Sequence, residues 1–122
     1  MVKNEYISHY STTSWGSSVS IMERGGKAFA HMYWYNDDKT IVYLDKLSVD
    51  KDARKLGIGT NLQEIREKVA KDMGAITVCL WMIWARENSW IHDWYIRRGY
   101  KDWKDHESEE NAVWMRKSLT EE

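Results

Sequence analysis

The stretch Val49-Asp50-Lys51-Asp52-Ala53-Arg54-Lys55-Leu56-Gly57-Ile58-Gly59-Thr60-Asn61 decides how this chain is read. An apolar, β-branched run ends at Val49, a short charged loop follows, and two glycines open a segment of helical periodicity. A strand that turns into a helix in this way leaves the first backbone N–H groups of the helix without partners, all pointing outward at the positive end of its dipole. Taken alone, that is either an anion site or simply a strand-to-helix turn that needs a positive φ. Gly57 and Gly59 would let a phosphate approach the backbone, and Arg54, Lys55 and the Thr60 hydroxyl can add charge or a hydrogen bond. The spacing fits neither the longer glycine loop that ends in Gly-Lys-Ser/Thr nor a GxGxxG dinucleotide turn.

Downstream, Leu62, Ile65, Val69 and Met73 recur at three- and four-residue steps, which predicts an amphipathic helix over 60–73 closed by Gly74. On that reading Glu64, Arg66, Lys68 and Lys71 face away from the apolar stripe. The near-continuous apolar run 76–84 predicts a buried central strand. A second helix is expected over 89–98, with Asn88 or Ser89 as N-cap, Gly99 as its stop, and Trp90, Ile91, Trp94 and Tyr95 forming one stripe. A last strand follows over 112–117. Upstream, 19–24 and 27–35 alternate around Gly25-Gly26, a hairpin signal, and 40–49 is a third strand after the turn at 36–39. The first 18 residues hold at most one short strand, at 6–10. The order β-β-β-α-β-α-β, an antiparallel meander feeding a crossover, predicts one α+β domain over 1–122 with a mixed, mostly antiparallel sheet and two main helices.

Composition narrows the function classes. With 18 Lys+Arg against 19 Asp+Glu the net charge is -1, which argues against a protein that neutralises nucleic-acid phosphates. A sheet surface using Tyr33, Trp34 and Tyr35 as stacking platforms for bases is the rival reading that this charge disfavours. The longest apolar runs fall short of a membrane helix, and 1–15 lacks a secretory apolar core, so the expected location is cytoplasmic with no membrane partner. The single cysteine, Cys79, lies in an apolar run and reads as a buried, inert thiol. His9, His31, His92 and His106 have no metal-ligand spacing among themselves or with Cys79, so no metal is expected.

Two segments together resemble the GNAT superfamily of N-acetyltransferases. Arg54-Lys55-Leu56-Gly57-Ile58-Gly59 is similar to the family's Arg/Gln-x-x-Gly-x-Gly/Ala at a helix start. Asn88 followed by Trp94-Tyr95-Ile96-Arg97-Arg98-Gly99-Tyr100 is similar to its Asn…Phe-Tyr-x-x-x-Gly-Phe pattern. Within the family, 43–49 and 95–99 look most like the diamine (spermidine/spermine-type) enzymes. The resemblance implies acetyl-CoA as cosubstrate, held by the strand end Leu47, Ser48 and Val49, by the turn Arg54, Lys55, Leu56, Gly57, Ile58, Gly59 and Thr60, and by Asn88 and Tyr95.

It implies direct transfer of an acetyl group to a primary amine, either a small amine or polyamine or a protein amine. Tyr95 would be the general acid that protonates the departing thiolate. Asp45, on a strand face shared with Tyr43 and Leu47, would be the base, with Glu87 in reserve. A relative that binds acyl-CoA without catalysis is the alternative. Family members place two helices between their first and second strands as a roof on the acceptor site. Only about 18 weakly patterned residues stand there in this chain. An open site suits a protein amine, or a homodimer that supplies the missing wall.

Overall fold

In a computed structural model, described here over residues 5–54, 56–83, 89–103 and 112–120, the chain forms a seven-stranded sheet in the order β1-β2-β3-β4-β5-β7-β6. The strands are β1 (Tyr6–Thr12), β2 (Gly16–Glu23), β3 (Ala28–Tyr35), β4 (Asp38–Val49), β5 (Thr77–Ile83), β6 (Lys101–Asp102) and β7 (Ala112–Ser118). Helix α1 (Ile58–Asp72) joins β4 to β5, and α2 (Ser89–Ile96) follows β5. Every neighbouring pair is antiparallel except β4 with β5. The α+β expectation holds; the strand allowed for at 6–10 is present as β1, and the sequence reading omitted the two-residue β6 and a 3-10 turn at Lys51–Ala53.

The β2–β3 hairpin turns where the glycine pair predicts. Glu23 reinforces it by accepting from the backbone N–H of Gly25 (2.8 Å) and of Lys27 (3.2 Å). α1 stops at Asp72 and α2 at Ile96, short of the expected 98, and Gly74 and Gly99 beyond them turn the chain with φ values of 99° and 95°.

Cross-strand partners share a face of the sheet. Ala28, Ala30 and Met32 of β3 pair with Val49, Leu47 and Leu44 of β4, and these point to the side covered by α1 and α2. There they pack with Val19, Ile21, Leu62, Ala70 and Met115 into the core. The opposite face has no helix on it among the described residues. It carries Phe29, His31, Tyr33 and Tyr35 from β3, with Trp81 and Trp114 from β5 and β7.

Two features, one in β4 and one in α1, differ from the sequence reading. The register against β3 shifts between His31↔Lys46 and Met32↔Leu44, so Asp45 is the extra residue of a β-bulge. Tyr43 and Leu47 therefore lie on opposite faces, and Asp45 does not share a face with both. A bulge re-aims one side chain without ending the strand. Arg66, expected on the solvent side of α1, is fully buried. Its position at four-residue spacing between Leu62 and Ala70 puts it in the buried stripe, and hydrogen bonds make a charge tolerable there.

Candidate active site

The site grows from the parting of β4 and β5. These strands pair from Ile41↔Thr77 to Leu44↔Leu80, whereas β4 continues on β3 to Val49 and β5 continues on β7 to Ile83. Past Leu44 the two parallel strands no longer share a ladder, so backbone groups of β4 face an opening.

A cavity of about 570 Å³ occupies this region. Its β4 wall is Leu47, Ser48 and Val49. Its floor is the turn into α1, with Ala53, Arg54, Gly57, Ile58, Gly59 and Thr60. Trp90, Ile91, Trp94 and Tyr95 of α2 close the far side.

Local sequence explains the turn. Gly57 sits at the α1 N-cap with φ 79°, a left-handed conformation that glycine adopts without a Cβ penalty. A Cβ built there would touch nothing within 4 Å, so the backbone lies open to the cavity side. No side chain caps the helix and its first turn holds no acidic residue, which leaves the positive end of the α1 dipole available to an anion. Arg54 is tied back by its Nε to the Val49 carbonyl at 3.2 Å. Arg98, from the segment after α2, donates to Thr60 Oγ1 (3.0 Å) and to the Trp94 carbonyl (2.9 Å), with its guanidinium 3.6 Å from the centre of the Trp94 ring. Burial, with the neighbouring Arg97 charge, holds its pKa below the ordinary guanidinium value. Arg98 thus pins α2 to the anion-ready turn.

Tyr95 is buried, and its hydroxyl accepts from Arg66 Nη2 at 3.2 Å. Arg66 Nη1 donates to the carbonyls of His31 (3.1 Å) and Lys46 (2.9 Å), the two residues paired beside the bulge. Its Nη2 also donates to Gln63 Oε1, while Nε lacks a partner among the described residues. The network runs on: Gln63 Nε2 donates to the Tyr100 hydroxyl (2.5 Å), Tyr100 donates to Glu67 (2.8 Å), and Lys117 donates to Glu67 (2.8 Å). Burial, followed by the Glu67 charge, raises the Tyr100 phenol far above its ordinary pKa, so it remains a donor. One buried guanidinium therefore joins the Tyr95 hydroxyl to the backbone that frames Asp45.

Of the residues expected to bind cofactor, Leu47, Ser48, Val49, Arg54, Gly57, Ile58, Gly59, Thr60 and Tyr95 are gathered on the one cavity. Leu56 is turned outward, 67% exposed, and is not on the lining. Lys55, Asn88 and Glu87 lie outside the described residues. Asp45 is not on the lining either; its carboxylate meets His31 Nδ1 at 2.6 Å on the open face.

Sequence reasoning took Trp90, Ile91 and Trp94 as packing and Arg66 as solvated. The signals were present, since the aromatic stripe includes Tyr95 and the 62–66–70 spacing includes Arg66. Trp34, offered as a stacking platform with Tyr33 and Tyr35, points instead into the core. Cys79 is buried, and burial pushes its thiol up to about 12, in keeping with an inert side chain. Among the described residues no cluster of three or more His, Cys, Asp or Glu could hold a metal, and no helix is long and apolar enough to cross a membrane.

Solved structures share this architecture. The ribosomal-protein-S18-alanine N-acetyltransferase from Escherichia coli superposes with a TM-score of 0.67 at 18% identity, over 91% of this chain and 74% of that one. An acetyltransferase of the GNAT family from Staphylococcus aureus gives 0.67 at 16% identity, over 86% and 68%. The PaiA N-acetyltransferase from Thermoplasma acidophilum, in complex with coenzyme A, gives 0.66 at 19% identity, over 83% and 59%. No curated protein matches in sequence. A family model, the acetyltransferase (GNAT) domain, matches residues 15–102, and the chain belongs to that family.

Proposed function

We propose that the protein is an N-acetyltransferase that moves an acetyl group from acetyl-CoA directly to a primary amine. The observation that carries this reading is one cavity lined both by the uncapped N-terminus of α1 and by Tyr95, where β4 and β5 part. Its volume lies within the range of about 300–1,000 Å³ usual for ligand sites. The fit to acetyl-CoA is chemical. An anion meets free N–H groups and a helix dipole at Gly57–Thr60, and an extended amide-bearing arm meets the backbone of Leu47, Ser48 and Val49 where β5 no longer pairs with it. The cosubstrate supplies the activated thioester.

The chain supplies positioning and proton transfer. The Tyr95 phenol donates its proton to the departing thiolate, and the Arg66 guanidinium, already bonded to that oxygen, stabilises the charge left behind. Asp45 places a carboxylate on the other side of the sheet, where an amine arriving over the open face would need one. The open face suits an amine carried by a protein, since nothing among the described residues encloses a small polyamine there.

Calorimetric titration with acetyl-CoA, compared with free CoA and ATP, tests the cofactor half. Micromolar binding that prefers acetyl-CoA is expected, lost in Gly57→Trp. Thiol release with amine acceptors tests the chemistry. Tyr95→Phe should lower turnover by on the order of 10²-fold or more while leaving acetyl-CoA affinity within about twofold. Unchanged turnover would remove Tyr95 from the acid role, and binding without any turnover would leave an acyl-CoA-binding module.

A further inference from the structure

Asp45 does not stand alone on the open face: it is paired with His31, whose imidazole has been given no task. Asp45 is the bulged residue directly after Leu44, the last residue of β4 paired with β5, so it stands where the two strands begin to part. The bulge aims its carboxylate at His31 of β3, with Oδ1 2.6 Å from Nδ1. A carboxylate at that distance holds the imidazole proton on Nδ1 and leaves the lone pair on Nε2. The ring is partly exposed on the open face, and no other described residue bonds it. From the covered face, Arg66 donates to the His31 and Lys46 carbonyls and to the Tyr95 hydroxyl. The imidazole and the phenol therefore stand on opposite sides of the sheet, one guanidinium apart.

We infer that His31 is the general base for the acceptor amine, with Asp45 as its orienting partner, and that the amine approaches over the open aromatic face. This rests on the acetyl-transfer reading. In the step, the neutral amine nitrogen bonds to the thioester carbonyl carbon and the C–S bond breaks. The amine proton passes to His31 Nε2, and the thiolate takes the Tyr95 proton. Solvent then carries a proton from the imidazolium to the phenolate, so that both residues return to their starting forms.

The rings beside the pair suit the hydrocarbon part of the amine. Tyr33 and Tyr43 stack at 5.2 Å, and Tyr35 lies 5.7 and 5.5 Å from them. The charged and titratable groups facing His31 are Asp45 and the cross-strand Lys46 from β4, and Tyr33 two residues along β3. Burial first, then Tyr35, with Asp45 also contributing, pushes the Tyr33 phenol up to about 12, so Tyr33 stays neutral beside the imidazole. From β2 the partner is the uncharged Ser20, and His9 of β1 lies beyond it in the same cross-strand row.

The test is thiol release from acetyl-CoA against pH, with spermidine, 2-phenylethylamine and Nα-acetyl-lysine methylamide as acceptor probes. His31→Gln should lower kcat/KM about 10²-fold, abolish the acid limb of the profile and bind acetyl-CoA as wild type does. Added imidazole should restore part of the activity of His31→Ala. Asp45→Asn should fall between His31→Gln and wild type, and His9→Gln should match wild type. A His31→Gln enzyme that keeps its rate and acid limb overturns the base role alone. A wild-type chain that turns over none of the probes overturns this role together with the acetyl-transfer reading. Should His31→Gln fail to fold, ¹⁵N NMR of the wild-type imidazole decides: the Nδ1–H tautomer supports the role and the Nε2–H tautomer overturns it.

Discussion

On the covered face of the sheet, polar groups are buried and, Arg66 Nε apart, hydrogen-bonded; on the other face, aromatic rings lie partly in water. Arg66, Gln63 and Tyr100 are almost fully shielded and spend their donors on carbonyls, hydroxyls and Glu67 under the helices. Trp81 and Tyr35, contributed to the other face by the neighbouring strands, are 47% and 40% exposed. There Trp15, Tyr35, Tyr33, Tyr43, Trp114 and Trp81 form a chain of ring contacts across the sheet. Strand alternation alone sends one set of residues to each side, and the helices decide which side is dry. The covered face can hold a guanidinium in fixed geometry because water cannot compete for its bonds. The open face cannot fix geometry in that way, but it can receive a second reactant.

This contrast can be broken at graded cost. The largest effect is expected on the covered face. Arg66→Leu strands the His31 and Lys46 carbonyls and should cost about 3 kcal/mol of stability, read from urea unfolding. Because the same guanidinium reaches Tyr95, turnover should fall further than the loss of folded protein explains. A variant as stable as wild type would show that water or a shifted backbone satisfies those carbonyls. At the rim of the cavity, Gly57→Ala puts a Cβ on a residue with φ 79° and should cost about 1 kcal/mol, in line with the left-handed penalty. Acetyl-CoA affinity should weaken with it, as calorimetry would report. The smallest effect belongs to the open face: Trp81→Ser or Trp81→Thr, each losing one ring contact, should cost less than about 1 kcal/mol of stability. Their signature should instead be a raised KM for the acceptor amine with kcat and acetyl-CoA affinity retained. A large stability loss there would mean that the rings hold the sheet together rather than receive a substrate.

Much of this was legible in the chain itself. The glycine pair at 25–26, the alternation over 27–35 and the apolar run over 76–84 are local signals, and each produced the element expected. The turn into α1 was legible for the same reason: it needs little more than a strand end, a glycine with positive φ and a helix start. Bounds shifted by up to three residues, as with β2, which begins at Gly16 rather than at residue 19, and α1, which begins at Ile58 rather than at residue 60. The site's second half was not legible. A bulge is a mismatch between two strands, so neither β3 nor β4 alone announces that Asp45 is the extra residue. Without the bulge, period-two counting put Tyr43, Asp45 and Leu47 on one face, and the structure divides them.

The sequence by itself therefore determined what depends on neighbours along the chain: the element order, the helix-opening turn, and the placement of Tyr95 on an apolar helical stripe. Tertiary structure decided what depends on neighbours across it. Arg66 became a buried bridge because α1 lays that position over the carbonyls of β3 and β4. His31 met Asp45 because a register shift between two strands turned a carboxylate toward it. Charge and hydrogen-bonding capacity are properties of a residue, but burial and partnership are properties of the packing, and only packing brings 31, 45, 66 and 95 to one place.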